Sequence, residues 1–200
     1  MTKKESAGMA TEKPTANFPL DGAAGGKVRG MRVMDICAKI TLRGRSEDAA
    51  FMTAAKKALG FALPDKTGKT TTSAAKANDG TGGSIGITAL CLAPNEWMLW
   101  AADDACESLF GRLQESLDGI FFAAVDVSDY YAIIRLDGDN AEEMLASGCP
   151  LDLSKLQTGD CAQSHHGAAQ ILLHRTLAGY DIQTRISMVP HLWMRLAVVN

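Results

Sequence analysis

Apolar and polar positions begin to alternate at Arg32. Met34, Ile36, Ala38, Ile40 and Leu42 fall on one side of a period of two, with Val33, Asp35, Cys37, Lys39 and Thr41 between them. That period sends successive side chains to opposite faces of a β-strand. The spacing then lengthens. Phe51, Ala54, Ala55, Ala58 and Leu59 form an apolar stripe at helical spacing. Ser46 stands as the expected N-cap, with Glu47 and Asp48 in the first turn, Lys56 and Lys57 near the end and Gly60 just outside. Acid first, base last and glycine beyond is the polarity a helix dipole favours.

Residues 64–84 contain no aromatic and many Gly, Thr, Ser, Lys and Asn positions, which predicts a long flexible loop. Ile85, Ile87, Ala89 and Cys91 alternate again, Pro94-Asn95 supplies a turn, and Trp97 to Ala101 returns as a strand. This strand is apolar on both faces, which predicts a central or doubly covered position. Asp103 or Asp104 caps a second helix, with Glu107 in capping-box spacing and Cys106, Leu109, Phe110, Leu113 and Leu117 as its stripe before Gly119. A second hairpin is expected from Ala123–Val127 and Tyr131–Leu136 around Ser128-Asp129. A short helix follows Asp139, buries Met144 and Leu145 and stops at Gly148. Strands near Ala162–Ser164, Gln170–Arg175 and Tyr180–Ile186 precede a last helix near Pro190 that carries Leu192, Trp193, Leu196 and Ala197.

The expected order is β-α-β-β-α-β-β-α-β-β-β-α. Helices that alternate with hairpins argue against a doubly wound parallel sheet. They predict an α+β fold: a mostly antiparallel sheet with helices on one side, built from ferredoxin-like β-α-β-β units. Residues 1–31 have no period and read as a flexible arm. Residues 32–200 read as a single α+β domain with a flexible loop at 64–84. No repeat of 20–50 residues is visible, which excludes a solenoid.

Composition narrows the classes of function. Apolar residues make up 46% of the chain and charged residues 22%, enough apolar material for a core. The formal charge of −3 supplies no basic field to hold a nucleic acid. No segment reaches the roughly 20 apolar residues of a membrane span, and the start lacks a secretory pattern, so a soluble cytoplasmic chain is expected. Charge is uneven: residues 1–32 carry six basic side chains against three acidic ones. Such an arm is either a solvated tail or a segment that orders on an acidic partner.

Each candidate for chemistry fails on context. Leu63-Pro-Asp-Lys-Thr-Gly68-Lys69-Thr70 imitates a phosphate loop but begins with Leu63 where glycine is required and follows a helix. Gly80-Thr-Gly82-Gly83-Ser-Ile-Gly86 imitates a dinucleotide loop but leads into a strand. Among the histidines His165, His166, His174 and His191, neighbours on a strand point apart, so His165 and His166 cannot easily share a metal. The five cysteines, Cys37, Cys91, Cys106, Cys149 and Cys161, have no C-x-x-C spacing and read as reduced apolar side chains. Cys149 or Cys161 with His165 could form a nucleophilic pair, but Cys149 follows a helix C-terminus and Cys161 adjoins Asp160, and both settings oppose a thiolate. Trp97 and Trp193 read as core. Tyr130 and Tyr131 point opposite ways, which leaves one of them at the surface or an interface. Asp126, Asp137 and Asp152 are the carboxylates available to a ligand, and each is explained more simply as a turn or cap acid.

Five blocks carry a family resemblance, in family order. Cys91-Leu-Ala-Pro-Asn-Glu-Trp97-Met-Leu is similar to an L-G-P-D-E-W-L-L hairpin, with Ala93 and Asn95 in place of its Gly and Asp. Val125-Asp-Val-Ser128 follows at the expected distance. Then come Leu136-Asp-Gly138 and Glu143-Met-Leu-Ala-Ser-Gly148-Cys-Pro-Leu-Asp-Leu153, and finally Gly159-Asp-Cys161-Ala-Gln163 with Leu172, Leu173 and Arg175 on the next strand. Together they resemble the gamma subunits of heterotetrameric sarcosine oxidase. The resemblance implies a fold similar to the folate-binding aminomethyltransferase domain and no catalytic, cofactor-binding or metal residue in this chain. It implies alpha, beta and delta partner subunits that hold FAD, FMN, NAD, folate and zinc. The reaction implied is oxidative demethylation of sarcosine to glycine, with tetrahydrofolate as one-carbon acceptor and hydrogen peroxide as product. Two alternatives stand beside it: the equivalent small subunit of N-methylglutamate dehydrogenase, and a stand-alone folate-binding one-carbon module.

Overall fold

The computed structural model describes residues 30–34, 37–73, 86–102 and 106–198. Among these described residues ten strands form two five-stranded antiparallel sheets. In chain order the elements are β1 (Met31–Val33), β2 (Cys37–Gly44), α1 (Ala49–Leu59), β3 (Thr70–Thr72), β4 (Thr88–Ala93), β5 (Glu96–Ala102) and α2 (Cys106–Ser116). Then follow β6 (Phe122–Asp126), β7 (Tyr131–Asp137), α3 (Ala141–Ala146), β8 (Cys161–His166), β9 (Ala169–Arg175), β10 (Gly179–Arg185) and α4 (Val189–Ala197). One sheet runs β3-β4-β5-β2-β6 and the other β8-β9-β10-β7-β1. Among the described residues no helix is long and apolar enough to cross a membrane.

Each sheet buries one face under its own helices. Ala38, Ile40 and Leu42 of β2 and Trp97, Leu99 and Ala101 of β5 pack against Phe51, Ala55 and Ala58 of α1 and Leu109 and Leu113 of α2. Ile134 and Leu136 of β7, Ile171 and Leu173 of β9 and Tyr180 and Ile182 of β10 pack against Met144 and Leu145 of α3 and Leu192, Trp193 and Leu196 of α4. The antiparallel α+β class and the helices on one side are as the periodicity predicts, applied twice. Trp97 and Trp193 are core, and β5 is buried on both faces.

The two halves share one connectivity. In the first, β2-α1-β3-β4-β5-α2-β6 yields the order β3-β4-β5-β2-β6. In the second, β7-α3-β8-β9-β10-α4 yields β8-β9-β10-β7, and β1 takes the place that β6 holds in the first. Within each half the β-α-β-β unit is ferredoxin-like.

Several expectations are corrected. The first strand is not continuous: β1 pairs with β7 in one sheet and β2 with β5 and β6 in the other. Tyr131–Leu136 does not return beside Ala123–Val127, because β6 pairs with β2 while β7 pairs with β1 and β10. The Ser128-Asp129 turn is a corner where the chain passes between sheets. Hydrogen bonds flank that corner, from Val127 N to Lys39 O and from Met34 N to Ile133 O, both 2.8 Å. Asp48, not Ser46, caps α1, accepting from Ala50 N, and Gly60 closes the helix at φ 83°. The expected loop holds β3 at Thr70–Thr72, which pairs with β4. The remainder of that loop at 74–84, Ile85 of the strand expected after it, Asp35 and Ile36, residues 1–29 of the arm expected at 1–31, Asp103, Asp104 and the side chains of Cys37 and Cys106 lie outside the described residues.

At the opposite side the sheets are stitched. Lys69 and Asp160 form an antiparallel bridge, Thr70 N donates to Gly159 O at 3.0 Å, and Cys161 N donates to Gly68 O at 2.8 Å. Corner and stitch together turn the two sheets into a flattened barrel.

Candidate functional site

Four of the six polar residues buried among the described residues lie in the barrel interior. Alternation places Lys39 on the face of β2 opposite its core residues, and likewise Met98 and Trp100 on β5, Ile133 and Arg135 on β7, Leu172 and His174 on β9, and Asp181 and Gln183 on β10. Leu90, Met98, Trp100, Ile133, Cys161 and Leu172 form an apolar centre. Lys39, Thr88, Asp181 and Gln183 are at most 8% exposed beside it.

Burying a polar group is costly unless it is paired. Trp100 Nε1 donates to Gln183 Oε1 at 2.6 Å. Arg135 grips Asp181 through two bonds, Nε to Oδ1 at 2.6 Å and a terminal nitrogen to Oδ2 at 2.9 Å. Burial alone raises the Asp181 carboxyl, but His174 and Arg135 outweigh it and hold the group below the usual carboxylate range. His174 lies with Nδ1 3.8 Å from Asp181 Oδ2 and its ring edge-on to Trp100, centroids 5.9 Å apart.

The Trp100–Gln183 bond divides the interior into two recesses. One, of about 300 Å³, is lined by Thr41, Met98, Tyr131, Gln163, Gln183 and Arg185 among others. The other, of about 160 Å³, is lined by Thr72, Thr88, Trp100, Arg135, His174 and Asp181 among others.

The residues singled out in the sequence are scattered. In the segment resembling a phosphate loop, Gly68 N donates to Cys91 O, Lys69 N to Lys66 O and Thr70 N to Gly159 O. Those amides are engaged, and Lys69 Nζ pairs with Asp160 at 2.6 Å, so no phosphate cradle is present there. Cys91, Cys149 and Cys161 are free and buried. Burial pushes the Cys161 thiol up to about 12, with the neighbouring Cys91 and Asp160 adding to it. Burial also raises Cys91. Neither is a ready nucleophile at neutral pH. Cys149 donates to Ser164 Oγ at 3.5 Å, away from the exposed His165. His166 points the other way and is fully buried against Gly148, and burial lowers its pKa.

The three candidate carboxylates do not converge. Asp126 accepts from Ser128 N, Asp152 accepts from Ser154 Oγ, and Asp137 lies 3.8 Å from Arg32. Tyr130 is 49% exposed and packs edge-on against Tyr131, with centroids 4.7 Å apart. Among the described residues no group of three or more His, Cys, Asp or Glu is gathered as for a metal. Sequence reasoning missed Arg135, Asp181 and Gln183. Their signal is present, since Asp181 and Gln183 alternate with Tyr180 and Ile182, but alternation alone reads them as solvent-facing.

Comparison with known proteins places this architecture. No curated protein sequence matches the chain. Among solved structures, it is similar to a chain of the heterotetrameric sarcosine oxidase from Corynebacterium sp. U-96 in complex with pyrrole 2-carboxylate. That match has a TM-score of 0.73 at 22% identity and covers 84% of this chain and 82% of that one. It is also similar in fold to the glycine cleavage system aminomethyltransferase T from Bartonella henselae, with a TM-score of 0.64 at 18% identity, covering 84% of this chain and 45% of that longer one. A model of the sarcosine oxidase, gamma subunit family matches residues 43–199. The chain belongs to the sarcosine oxidase gamma subunit family.

Proposed function

We propose that this chain is the non-catalytic gamma subunit of a cytoplasmic heterotetrameric flavoenzyme that oxidatively demethylates sarcosine to glycine. In this reading the alpha, beta and delta partners hold FAD, FMN, NAD, folate and zinc. Tetrahydrofolate accepts the one-carbon unit and hydrogen peroxide is the product. The observation that carries the reading is family membership across residues 43–199. Two features of the chain support it. The interior charges Arg135 and Asp181 are spent on each other, and the described thiols are buried. Large apolar side chains also remain at the surface, Phe121 at 82%, Leu177 at 92% and Val198 at 83% exposed, as suits a chain that meets other subunits.

Co-expression with the flavin-binding chains of the same complex tests this. The expected result is a flavin-containing assembly that retains this chain through gel filtration and turns over sarcosine with oxygen uptake. A stable monomer that no flavoprotein chain captures, or sarcosine turnover by the chain alone, would overturn it. Assaying N-methylglutamate beside sarcosine, with and without oxygen, fixes the substrate and the acceptor.

A further inference from the structure

We propose that the recess of about 160 Å³ beside Trp100 is a binding site for a small neutral molecule that carries an NH2 group, of the primary amide class.

The first argument is one of symmetry. β5 and β10 are each seven residues long and hold equivalent places in the two halves, so they align position by position. Fully buried Trp97 then matches Tyr180, and Leu99 matches Ile182. On the interior face Met98 matches Asp181. The cross-strand neighbours of Met98 are Thr41 and Leu90. Those of Asp181 are Arg135 and His174. The fold is therefore satisfied by Thr, Met and Leu at the positions where the second half carries Arg, Asp and His. An ion pair beside a histidine is not something this architecture needs.

The second argument is one of proton bookkeeping. Thr70 Oγ1 donates its hydrogen to the Gly159 carbonyl at 2.9 Å. His174 Nε2 lies 3.4 Å from that same oxygen, and the tautomer with its hydrogen on Nε2 is the one that donates there. In that tautomer Nδ1 is an acceptor, and it is buried with no hydrogen-bond partner. It faces a second acceptor, Asp181 Oδ2, at 3.8 Å. One atom with two hydrogens, about 2.8 Å from each acceptor and about 2 Å off the line between them, satisfies both. Asp181 is already balanced by the Arg135 guanidinium, so a neutral donor suits the place better than a cation.

Size and lining choose a molecule over a lone water. Cavities near 150 Å³ hold a six-membered ring. Met34, Trp100 and Ile133 give the recess an apolar wall against which a short carbon chain packs.

The test compares propionamide with 2-butanone, which have the same number of heavy atoms and differ by NH2 against CH3. Ligand-observed NMR titration of the purified protein, in its assembled complex where it has one, measures both affinities. Crystals soaked in each locate them. Propionamide is expected to bind at least tenfold tighter than 2-butanone, with its nitrogen between His174 Nδ1 and Asp181 Oδ2. His174→Leu, which leaves the Arg135–Asp181 pair intact, is expected to abolish that preference, and Thr41→Val, in the other recess, to leave it unchanged. Equal affinity for the two probes, water alone in the recess, tighter binding of methylammonium, or a His174 that carries both protons and pairs directly with Asp181 would each overturn the proposal.

Discussion

Gly148→Ala is expected to destabilise the protein through a single contact. Gly148 follows α3 and lies under the ring of His166. A Cβ there would stand 2.6 Å from Cε1, 2.8 Å from Nε2 and 2.9 Å from Nδ1 of that ring. Neither side can give way cheaply. The His166 ring is fully buried. The Gly148 carbonyl accepts from Gly167 N at 3.0 Å, and Cys149 N, the next amide along, donates to Leu145 O at 3.1 Å, so the backbone is held on both sides. Overpacking of this kind costs about 2 kcal/mol. For a chain of this size that lowers Tm by roughly 4–8 °C.

Urea denaturation of four proteins isolates the cause: wild type, Gly148→Ala, His166→Ala and the double variant. His166→Ala is destabilising alone because it opens a cavity, but it removes the atoms the new Cβ strikes. In that background Gly148→Ala is expected to cost under about 0.5 kcal/mol, a coupling that contacting residues show and distant ones do not. Gly111→Ala in α2, where an added Cβ meets nothing within 4 Å, serves as the control and is expected to stabilise by about 0.5–1 kcal/mol. An equal penalty for Gly148→Ala with and without the His166 ring would refute the reasoning.

Three further outcomes follow from the interior. Asp181→Asn removes the anion that the half-buried Arg135 guanidinium grips through two bonds and is expected to cost about 2 kcal/mol at neutral pH. The folded carboxyl lies below its ordinary 3.8, so its contribution is present above that value and is lost as pH falls through the folded one; acid titration of stability should show wild type and variant converging below pH 3.8. Trp100→Phe strands Gln183 Oε1 and is expected to cost about 1–3 kcal/mol by urea denaturation, whereas Trp100→Phe with Gln183→Met, apolar on both sides, costs less than the single change. Cys91, Cys149 and Cys161 should resist iodoacetamide at pH 8 in the native protein and react in urea, by peptide mass spectrometry, and native labelling of Cys161 would contradict its thiol's position near 12.

The helix-facing half of every sheet was legible because burial there obeys local rules. Ala38, Ile40 and Leu42 alternate, Phe51, Ala55 and Ala58 recur at helical spacing, and both sets meet in one core. The barrel interior was not legible, because its chemistry contradicts the rule by which alternation is read. Asp181 and Gln183 occupy the positions a solvent-exposed face would occupy, yet they are 5% and 3% exposed. Period two reports that two faces differ; it does not report whether the polar face meets water or another sheet. The corner at Ser128-Asp129 failed for a related reason. Turn residues specify a reversal or a bend through local dihedral preference, while the partner of each flanking strand is set by contacts far along the chain. β7 finds β10 and β1, and β6 finds β2, at separations that no window of turn chemistry spans.

The duplicated architecture was hidden by the same division of labour. Positions that face the helices keep their type between halves, as Leu99 and Ile182 do, since both must fill a core. Positions that face the barrel diverge, Met98 against Asp181, Trp100 against Gln183 and Leu90 against His174. The paired halves therefore act as an internal control on what folding requires. Where both halves use apolar residues, packing accounts for them. Where the second half sets Arg135, Asp181 and His174 together, packing does not, and the cost of burying the Asp181 carboxylate is offset by its two bonds to Arg135.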